Sequence, residues 1–285
     1  HLPSLKHAGL IMPDMGQYFV DGSSRSLTVN NQKILVFGAR RGGSTYVALN
    51  ITDYKKPQFM YQIPGMQNDA NRDGWQGVYN LGQSWGTPTF KKIYSQVINS
   101  HSYRNIGLCS YKETNVTYKG QNDDYVLILP GGYVEQYDYK AATQASNIKG
   151  AAVLGINVLT GKPDEKFELL NAKRSPIMQH SVLDVIAFSR NGGDFVDSMY
   201  FGDLGGNMFY AMPYDIAMRK NGCDGGLSKY FEAQEKFVPY LLFKSDPLAG
   251  RKFMYAPDVV IESGGEYIFF GSGDRENPLD KNIQD

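Results

Sequence analysis

The sequence is poor in cysteine, the residue that cross-links small domains through disulfides and binds metal through thiolates. Only two of its 285 residues are cysteine, Cys109 and Cys223, which excludes a disulfide scaffold and a CxxC metal site. The pair forms either one long-range disulfide or two free thiols, because the sequence does not give the distance between their Cα atoms. Long apolar runs are missing too: residues 126–129 and 267–270 are strand-sized and too short to span a bilayer. No membrane insertion is therefore expected.

An excess of charge of one sign is also missing. Lys and Arg together number 29, Asp and Glu together number 29, and the formal net charge is zero. Nucleic-acid binding needs an excess of basic residues on one face, so this class of partner is not expected. No segment resembles a signal peptide. Since the chain begins at His1 instead of Met, we expect an excised piece of a larger protein, for which a missing targeting segment says little about location.

Glycine and aromatic residues, in contrast, are abundant, with 31 Gly, 20 Tyr and 15 Phe. This mixture favours β-strands separated by tight turns, because aromatic side chains suit strands and glycine suits turns with positive φ. Hydrophobic residues make up 42% of the chain, which is enough for a sizeable core. A chain of 285 residues is an ordinary size for one large all-β domain, so residues 1–285 are predicted to form a single domain.

One unit of strand, glycine turn and strand recurs along the chain. In its first copy the predicted strands are residues 34–37, 45–49 and 58–63. The second copy carries a long polar insertion before its second strand, and the last copy supplies only the first half of the unit. The copies lie at residues 33–63, 125–170, 198–215 and 265–280.

Such repeated antiparallel sheets are typical of a β-propeller, in which each blade covers its faces with its neighbours. Blades commonly need about 40–45 residues, so the chain has material for six or seven irregular, quinoprotein-like blades, and seven are preferred. The alternative is an irregular β-sandwich. In a propeller, the glycine hairpins at residues 41–43 and 204–206 are expected in equivalent places on different blades.

Six segments carry a resemblance to known propeller families. The segment VLGINVLTGKPDEKFEL resembles the signature of quinoprotein-type repeats. Five others, in order along residues 18–279, resemble segments of the PilC/PilY family of type IV pilus-associated proteins: QYFVDGSSRSL, ILVFGARRGGSTYVALNIT, NLGQSWGTPTF, DSMYFGDLGGNMF and YIFFGSGDRENPL. The resemblance implies the C-terminal β-propeller domain of a larger protein whose N-terminal region is absent here.

The same resemblance implies a type IV pilus biogenesis factor, exported by a bacterium to the outer membrane, the cell surface or the pilus. The domain is then a non-catalytic binding module that supports pilus assembly by opposing retraction, with roles in twitching motility and adhesion. Its implied partners are pilins or minor pilins and host-cell surface receptors. The alternative function is a stand-alone adhesin or lectin-like module that binds host glycans or matrix.

The resemblance also places a calcium loop directly before the strand that starts at Ser198. Its ligand positions fall on Ser189, Asn191, Gly193, Phe195 (through its carbonyl) and Asp197. Calcium takes about six to eight oxygen ligands, usually with several carboxylates. Asp197 is the only acid at these positions. Asp194 is a substitute if the loop is shifted by one residue, and Asp184 is another if it reaches in from the preceding strand. We therefore expect a turn held by hydrogen bonds, without calcium.

A second candidate calcium loop, NDANRDGWQG, reproduces only the first half of an EF-hand-like pattern. The residues that match are Asp69, Asn71, Asp73 and Gly74. Gly77 and Asn80 stand where acids would complete the ligand shell, so a plain loop is expected.

Enzymatic chemistry is not expected. The four histidines share no motif with a serine or cysteine, and His180 beside Ser181 is interpreted as a turn at the start of a strand. Quinone-dependent dehydrogenases, whose propeller repeats look similar, stack their cofactor on a disulfide between adjacent cysteines. Cys109 and Cys223 are far apart in sequence, so no quinone is expected.

Overall fold

The computed structural model describes residues 20–64, 81–92, 97–106, 109–118, 125–134, 149–163, 170–171, 177–190, 192–196, 198–213, 218–219, 237–246, 251–262 and 265–274. These residues form strands, turns and isolated bridges with no helix among them, so this part of the chain is all-β, as predicted. No membrane-spanning helix is present in the same ranges. The second candidate calcium loop, at residues 69–80, and Cys223 lie outside them.

The strands in this part of the chain are, in order, β1 (Ser24–Val29), β2 (Gln32–Gly38), β3 (Tyr46–Asn50), β4 (Gln58–Ile63), β5 (Thr89–Lys92), β6 (Val97–Ile106), β7 (Cys109–Tyr118), β8 (Tyr125–Pro130), β9 (Ala152–Asn157), β10 (Leu170–Asn171), β11 (Ile186–Phe188), β12 (Ser198–Gly202), β13 (Asn207–Pro213), β14 (Met218–Arg219), β15 (Phe237–Lys244), β16 (Asp258–Glu262) and β17 (Gly265–Phe269).

Three sheets have four strands each, and their neighbouring strands are antiparallel. The first sheet has the order β1-β2-β3-β4, the second β10-β9-β8-β5 and the third β11-β12-β13-β15. Each sheet follows the chain order, with the hairpin β6–β7 inserted in the second and β14 in the third. These inserted strands form a separate three-stranded sheet, β14-β7-β6. β16 pairs with β17 in a two-stranded sheet, named here the fourth sheet because it follows the three four-stranded sheets along the chain.

The recurring unit of strand, glycine turn and strand is confirmed. The strands predicted at residues 34–37, 45–49 and 58–63 correspond to β2, β3 and β4. The hairpins at 41–43 and 204–206 each join the second and third strands of a four-stranded sheet, in the first and third sheets respectively. They therefore occupy equivalent places in different sheets. Closure of the sheets into a ring and the number of blades stay predictions.

The second sheet is packed on both of its faces, which explains its unbroken apolar run at residues 126–129. Leu127 belongs to a core cluster with Val36 of the first sheet, whereas Ile128 belongs to a cluster with Phe201 of the third sheet. Successive side chains of a strand point to opposite faces, so each face of β8 meets a different neighbour. All of residues 126–129 are fully buried, and a strand covered on both faces needs an apolar residue at every position.

Three linkers, residues 81–88, 180–185 and 251–257, precede the second, third and fourth sheets. In the first linker, the backbone N–H of Ser84 donates to the carbonyl of Gly43 in the first sheet (3.0 Å). The N–H of Gln83 donates to the carbonyl of Tyr133 in the second sheet (2.7 Å). One linker thus bonds to the central hairpins of the sheet before it and the sheet after it.

The other two linkers repeat this pattern. Their backbone bonds are Val182 N to Gly150 O (3.0 Å), Leu204 N to Ser181 O (3.1 Å), Phe253 N to Asp203 O (3.1 Å) and Gly273 N to Lys252 O (3.0 Å). The second linker therefore joins the second and third sheets, and the third linker joins the third and fourth. Since buried backbone groups need partners, these bonds fix how one sheet is placed against the next.

A separate apolar cluster, named here the linker cluster, lies where the linkers meet. Trp85, Leu183 and Met254 come one from each linker, and Tyr133 and Leu204 come from the hairpins of the second and third sheets. All five residues are buried. The ring centroids of Trp85 and Tyr133 are 5.5 Å apart in a tilted contact. The linkers are thus held together by side-chain packing as well as by backbone hydrogen bonds.

Replacing Leu183 tests the contribution of the linker cluster. Leu183→Ala should lower the free energy of unfolding by about 2–5 kcal/mol, because it leaves a cavity among buried side chains. The matched control is Leu159→Ala, because Leu159 is 40% exposed, and it should change the free energy by about 0.5 kcal/mol or less. Urea unfolding measures both changes. Equal, small losses in the two variants would show that the cluster does not hold the sheets together.

Candidate functional site

The candidate calcium loop connects β11 to β12 and is anchored to the edge of the second sheet. The N–H of Lys92 in β5 donates to the carbonyl of Asp194 (3.0 Å), and the N–H of Val196 donates to the carbonyl of Lys92 (2.9 Å). Gly192, with φ of 73°, turns the chain and donates its N–H to the Ser189 carbonyl (3.1 Å). Backbone bonds therefore fix both the start and the end of the loop.

The structure describes three of the five predicted calcium-ligand positions. Ser189 is buried and brings one hydroxyl, Gly193 is exposed and has no side chain, and Phe195 brings a carbonyl. Asn191 and Asp197 lie outside the described residues. Among the described residues, no three of the His, Cys, Asp and Glu side chains form a group that could hold a metal ion. The absence of calcium binding at this loop stays a prediction.

Of the two substitute acids, Asp194 is held by its backbone and Asp184 by its carboxylate. The backbone carbonyl of Asp194 accepts the bond from the N–H of Lys92. The carboxylate of Asp184 accepts bonds from the N–H of Val185 (3.1 Å) and the N–H of Ala256 (3.4 Å), which joins the second linker to the third. Burial raises the pKa of Asp184, and these backbone bonds oppose the rise. Asp184 therefore serves the contact between linkers.

A cationic side chain of the protein itself occupies the start of the loop. The Nε of Arg190 lies 2.7 Å from a carboxylate oxygen of Glu266 in β17. The Arg190 guanidinium also lies over the ring of Tyr210, 5.3 Å from its centroid. The hydroxyl of Tyr200 donates to the other carboxylate oxygen of Glu266. Arg190 and Glu266 thus connect the loop and the third sheet to the fourth sheet.

The aromatic residues around this ion pair form a packed set. The rings of Tyr200 and Tyr210 are 4.7 Å apart, and Phe188 stacks on Tyr200 at 5.8 Å. The hydroxyl of Tyr210 lies 3.3 Å from the Ser198 hydroxyl, and both residues are fully buried. Electron-rich aromatic faces favour a nearby guanidinium. Sequence reasoning did not identify this set, because Arg190 and Glu266 are distant in the chain and belong to no shared motif.

Asp203 closes the turn between β12 and β13 in the segment GDLGGN. Its carboxylate accepts bonds from the N–H of Gly205 (2.9 Å), the N–H of Asn207 (2.9 Å) and the side-chain amide of Asn207 (3.1 and 3.0 Å). Asp203 is fully buried, and burial raises its pKa to about 7 against the opposing effect of these bonds. The acid and the asparagine of this segment therefore cap a turn that presents the Asp203 carbonyl to the third linker.

Asn157 likewise caps a turn with its side chain, in the segment NVLTGK. Its side-chain carbonyl accepts bonds from the N–H of Leu159 (3.1 Å), the N–H of Thr160 (3.0 Å) and the Thr160 hydroxyl (3.2 Å). Gly161, with φ of 70°, then returns the chain toward the sheet. Asx-type capping of this kind is a local way to satisfy turn N–H groups. The polar residues of both segments thus have a structural explanation.

His180 opens the second linker, and its ring packs against the hairpin of the third sheet. A Cβ atom on Gly205 would lie 2.2 Å from the His180 ring, so any larger residue at this position would displace the ring. Burial, together with nearby Lys244, lowers the pKa of His180. Ser181 uses its backbone carbonyl to accept the bond from Leu204. The interpretation of His180 and Ser181 as a turn ahead of a strand agrees with this placement.

Comparison with known proteins gives a fold relationship. No family model matches the chain, and no curated protein matches it in sequence. The chain is similar to the crystal structure of the Pseudomonas aeruginosa PilY1 C-terminal domain, with a TM-score of 0.56 and 18% sequence identity. The match covers 99% of this chain and 47% of that chain, so this chain spans about half the length of the PilY1 chain. The likeness supports a PilY1-like fold.

The Arg190–Glu266 pair should be coupled energetically. In a double-mutant cycle of Arg190→Met and Glu266→Gln, we expect a coupling energy of about 1–3 kcal/mol, because each change leaves the other charge without its partner. Urea unfolding of the four proteins measures it. The control cycle combines Lys56→Met with Glu266→Gln. Lys56 is an exposed cation in a turn of the first sheet, so this cycle should show no coupling. A coupling no larger than that of the control would contradict the assigned contact.

Asp203 should make stability depend on pH. Its folded-state pKa of about 7 lies above its ordinary value of 3.8. As pH rises between these values, the unfolded chain releases the proton that the folded chain still holds, so the free energy of unfolding falls. Urea unfolding from pH 4 to 8 should show this fall in the parent and a shallower one in Asp203→Asn, which does not ionise. Parallel pH profiles of the two proteins would contradict the assignment.

Millimolar calcium should not raise the midpoint of thermal unfolding of this chain. A ligand that binds only the folded state raises the midpoint in proportion to its saturation. Asp197 is the only acid among the five predicted ligand positions, which is too little charge for a tight calcium site. Magnesium at the same concentration is the control for ionic strength. A shift specific to calcium that is abolished by Asp197→Ala, but retained in Asp194→Ala, would establish the predicted loop as a calcium site.

Proposed function

We propose that this chain is part of the β-propeller domain of a PilY1-like protein and that this domain acts in type IV pilus biogenesis. The observation that carries the proposal is the structural match to the PilY1 C-terminal domain, which extends over 99% of the chain with a TM-score of 0.56. The five sequence segments that resemble the PilC/PilY family, in order along residues 18–279, support it independently.

The propeller itself is the first part of the proposal. Three consecutive four-stranded sheets follow the chain order, and the linkers repeat the same bonds from one sheet to the next. Such a repeat is the arrangement of propeller blades. The proposed complete domain has six or seven blades, of which the described residues supply three four-stranded sheets and two strands of a fourth.

Binding is the second part of the proposal. The polar residues of the GDLGGN and NVLTGK segments are engaged in capping their own turns, so they support a rigid frame. A rigid frame that carries loops and insertions is suited to recognition of other proteins. We assign the domain a non-catalytic role in which it binds pilins or minor pilins and opposes pilus retraction. The proposed location is the outer membrane, the cell surface or the pilus of a bacterium.

Deletion of the region that encodes residues 20–274 tests the role in biogenesis. The proposal predicts loss of surface pili, and recovery of pili when the retraction ATPase is also removed, because the domain is then no longer needed to oppose retraction. Pili sheared from the surface and counted by electron microscopy give the readout. A chromosomal Leu159→Ala strain serves as the control for an intact domain. Normal piliation with a loss of host-cell attachment alone would favour the adhesin alternative.

A further inference from the structure

An open groove of ≈ 480 Å³ lies between the third linker and the end of β17. Its aromatic lining is formed by Tyr255, Phe269 and Phe270, whose side chains are 56%, 61% and 39% exposed. Asp258, at the start of β16, is the exposed acid of the lining. Sites for small ligands commonly have volumes of about 300–1,000 Å³. The groove is therefore large enough to receive a side chain or a small molecule.

Two glycines of the lining are not required by packing or by backbone conformation. Among the described residues, no heavy atom lies within 4 Å of the place that a Cβ of Gly271 or Gly273 would take. Neither glycine has the positive φ that excludes other residues. In contrast, a Cβ on Gly131 would lie 2.1 Å from the carbonyl oxygen of Gly150. Glycine at 271 and 273 thus leaves the groove open for a ligand to approach the backbone closely.

Asp258 makes the groove negative. The other acid of the lining, Asp274, is buried and paired with Lys252 (2.5 Å), so its charge is compensated inside the protein. In the described part of the chain, Asp258 belongs neither to this ion pair nor to that of Arg190 with Glu266. No Lys, Arg or His is among the described residues that line the groove. The charge of the groove therefore favours a cationic ligand over an anionic one.

An aromatic ring stands beside this carboxylate. Asp258 is directly opposite Phe269 in the pairing of β16 with β17. Directly opposite side chains of an antiparallel pair lie on the same face, with Cβ atoms about 4.5–5.5 Å apart. One cationic group is thus able to contact the carboxylate of Asp258 and the ring of Phe269 together. Contact with both groups gives an ion pair and a cation–π interaction.

The protein already holds one of its own cations in this way. The Nε of Arg190 lies 2.7 Å from a carboxylate oxygen of Glu266, and the guanidinium lies over the ring of Tyr210, 5.3 Å from its centroid. A planar guanidinium stacks on an aromatic face and directs two N–H groups at a carboxylate, whereas an ammonium group acts as a point charge. The pairing of Asp258 with Phe269 therefore suits an arginine better than a lysine.

We propose that this groove binds an arginine side chain of a partner protein, with the guanidinium contacting the Asp258 carboxylate and the Phe269 ring. A guanidinium carries only hydrogen-bond donors, which matches the carboxylate and the backbone carbonyls of the lining glycines. Its methylene stem packs on Phe270. The proposal goes beyond the role in pilus biogenesis, which assigns no contact residue.

Titration of the 1–285 chain with Nα-acetyl-arginine amide tests the proposal. The backbone amide signals of Gly271 and Gly273, followed by NMR, should shift and reach saturation, with half-saturation in the millimolar range. Binding is weak because one exposed ion pair and one exposed cation–π contact each contribute little. Nα-acetyl-citrulline amide has nearly the same shape without the charge, and it should bind at least about threefold more weakly. Nα-acetyl-lysine amide should also bind more weakly than the arginine probe.

Variants of the two contacting residues make the test specific. Asp258→Asn should weaken binding of the arginine probe by about threefold to fivefold, because it removes the ion pair. Phe269→Leu should weaken it by about as much, because it keeps an apolar side chain and removes the aromatic face. Glu262→Gln is the control, since Glu262 is an exposed acid of the same strand that does not line the groove. It should leave binding unchanged.

Gly271→Ala separates binding from folding. The added methyl group meets no described atom within 4 Å, so the midpoint of urea unfolding should not fall. Binding of the arginine probe should nevertheless weaken, because the methyl group takes the space through which the ligand approaches the backbone. Unchanged binding in this variant would contradict the assigned position of the ligand.

Three further results would overturn the proposal. The first is the absence of a saturable shift with the arginine probe, and the second is equal affinity for the arginine and citrulline probes. The third is a saturable shift with methyl α-glucoside and none with the arginine probe, which would assign the groove to a sugar. None of these measurements involves piliation, so this proposal and the proposed function fail separately.

Discussion

The hydrogen bonds of the three linkers are the constraint on which the rest of this structure depends. Each linker supplies backbone partners to the hairpin before it and to the hairpin after it, as Ser84 and Gln83 do for the first and second sheets. A sheet of four short strands has two faces to cover, and it covers them only if its neighbours are held at a fixed position. The burial of both faces of β8 is the direct result.

This constraint explains residues that otherwise look like ligands or catalytic groups. Asp203 keeps a turn in the shape that offers its carbonyl to Phe253 of the third linker. Asp184 bonds to Ala256 and so ties two linkers together. In the loop after β11, Arg190 pairs with Glu266, and the cation that connects the loop to the fourth sheet is thus a side chain of the protein. The side chains of Asp203, Asp184 and Arg190 thus have partners within the protein, and these contacts serve its geometry.

The sequence predicted the parts of the fold that local chemistry determines. Alternating apolar residues and glycine turns predicted β2, β3 and β4. They also predicted that the hairpins at 41–43 and 204–206 occupy equivalent places. The hairpin β6–β7 was missed, because VINSHSYRNI and CSYKETNVTY contain few apolar residues that would reveal alternation. The ion pair of Arg190 with Glu266 was missed for another reason, since it depends on how two sheets are placed in space. Motif spacing identified the loop as a candidate calcium site, but it did not reveal that Arg190 at its start pairs with Glu266.

The most direct test of the role of the linkers is amide exchange measured by NMR in the native state. The N–H groups of Gln83, Val182 and Phe253 each donate to a hairpin of a neighbouring sheet. If the linkers hold the sheets as one unit, these three amides exchange only through global unfolding, with the same free energy as the amides of the β12–β13 pair. The Lys55 amide, bonded in an exposed turn, provides the fast reference. Exchange of the three linker amides at the rate of Lys55 would contradict the account.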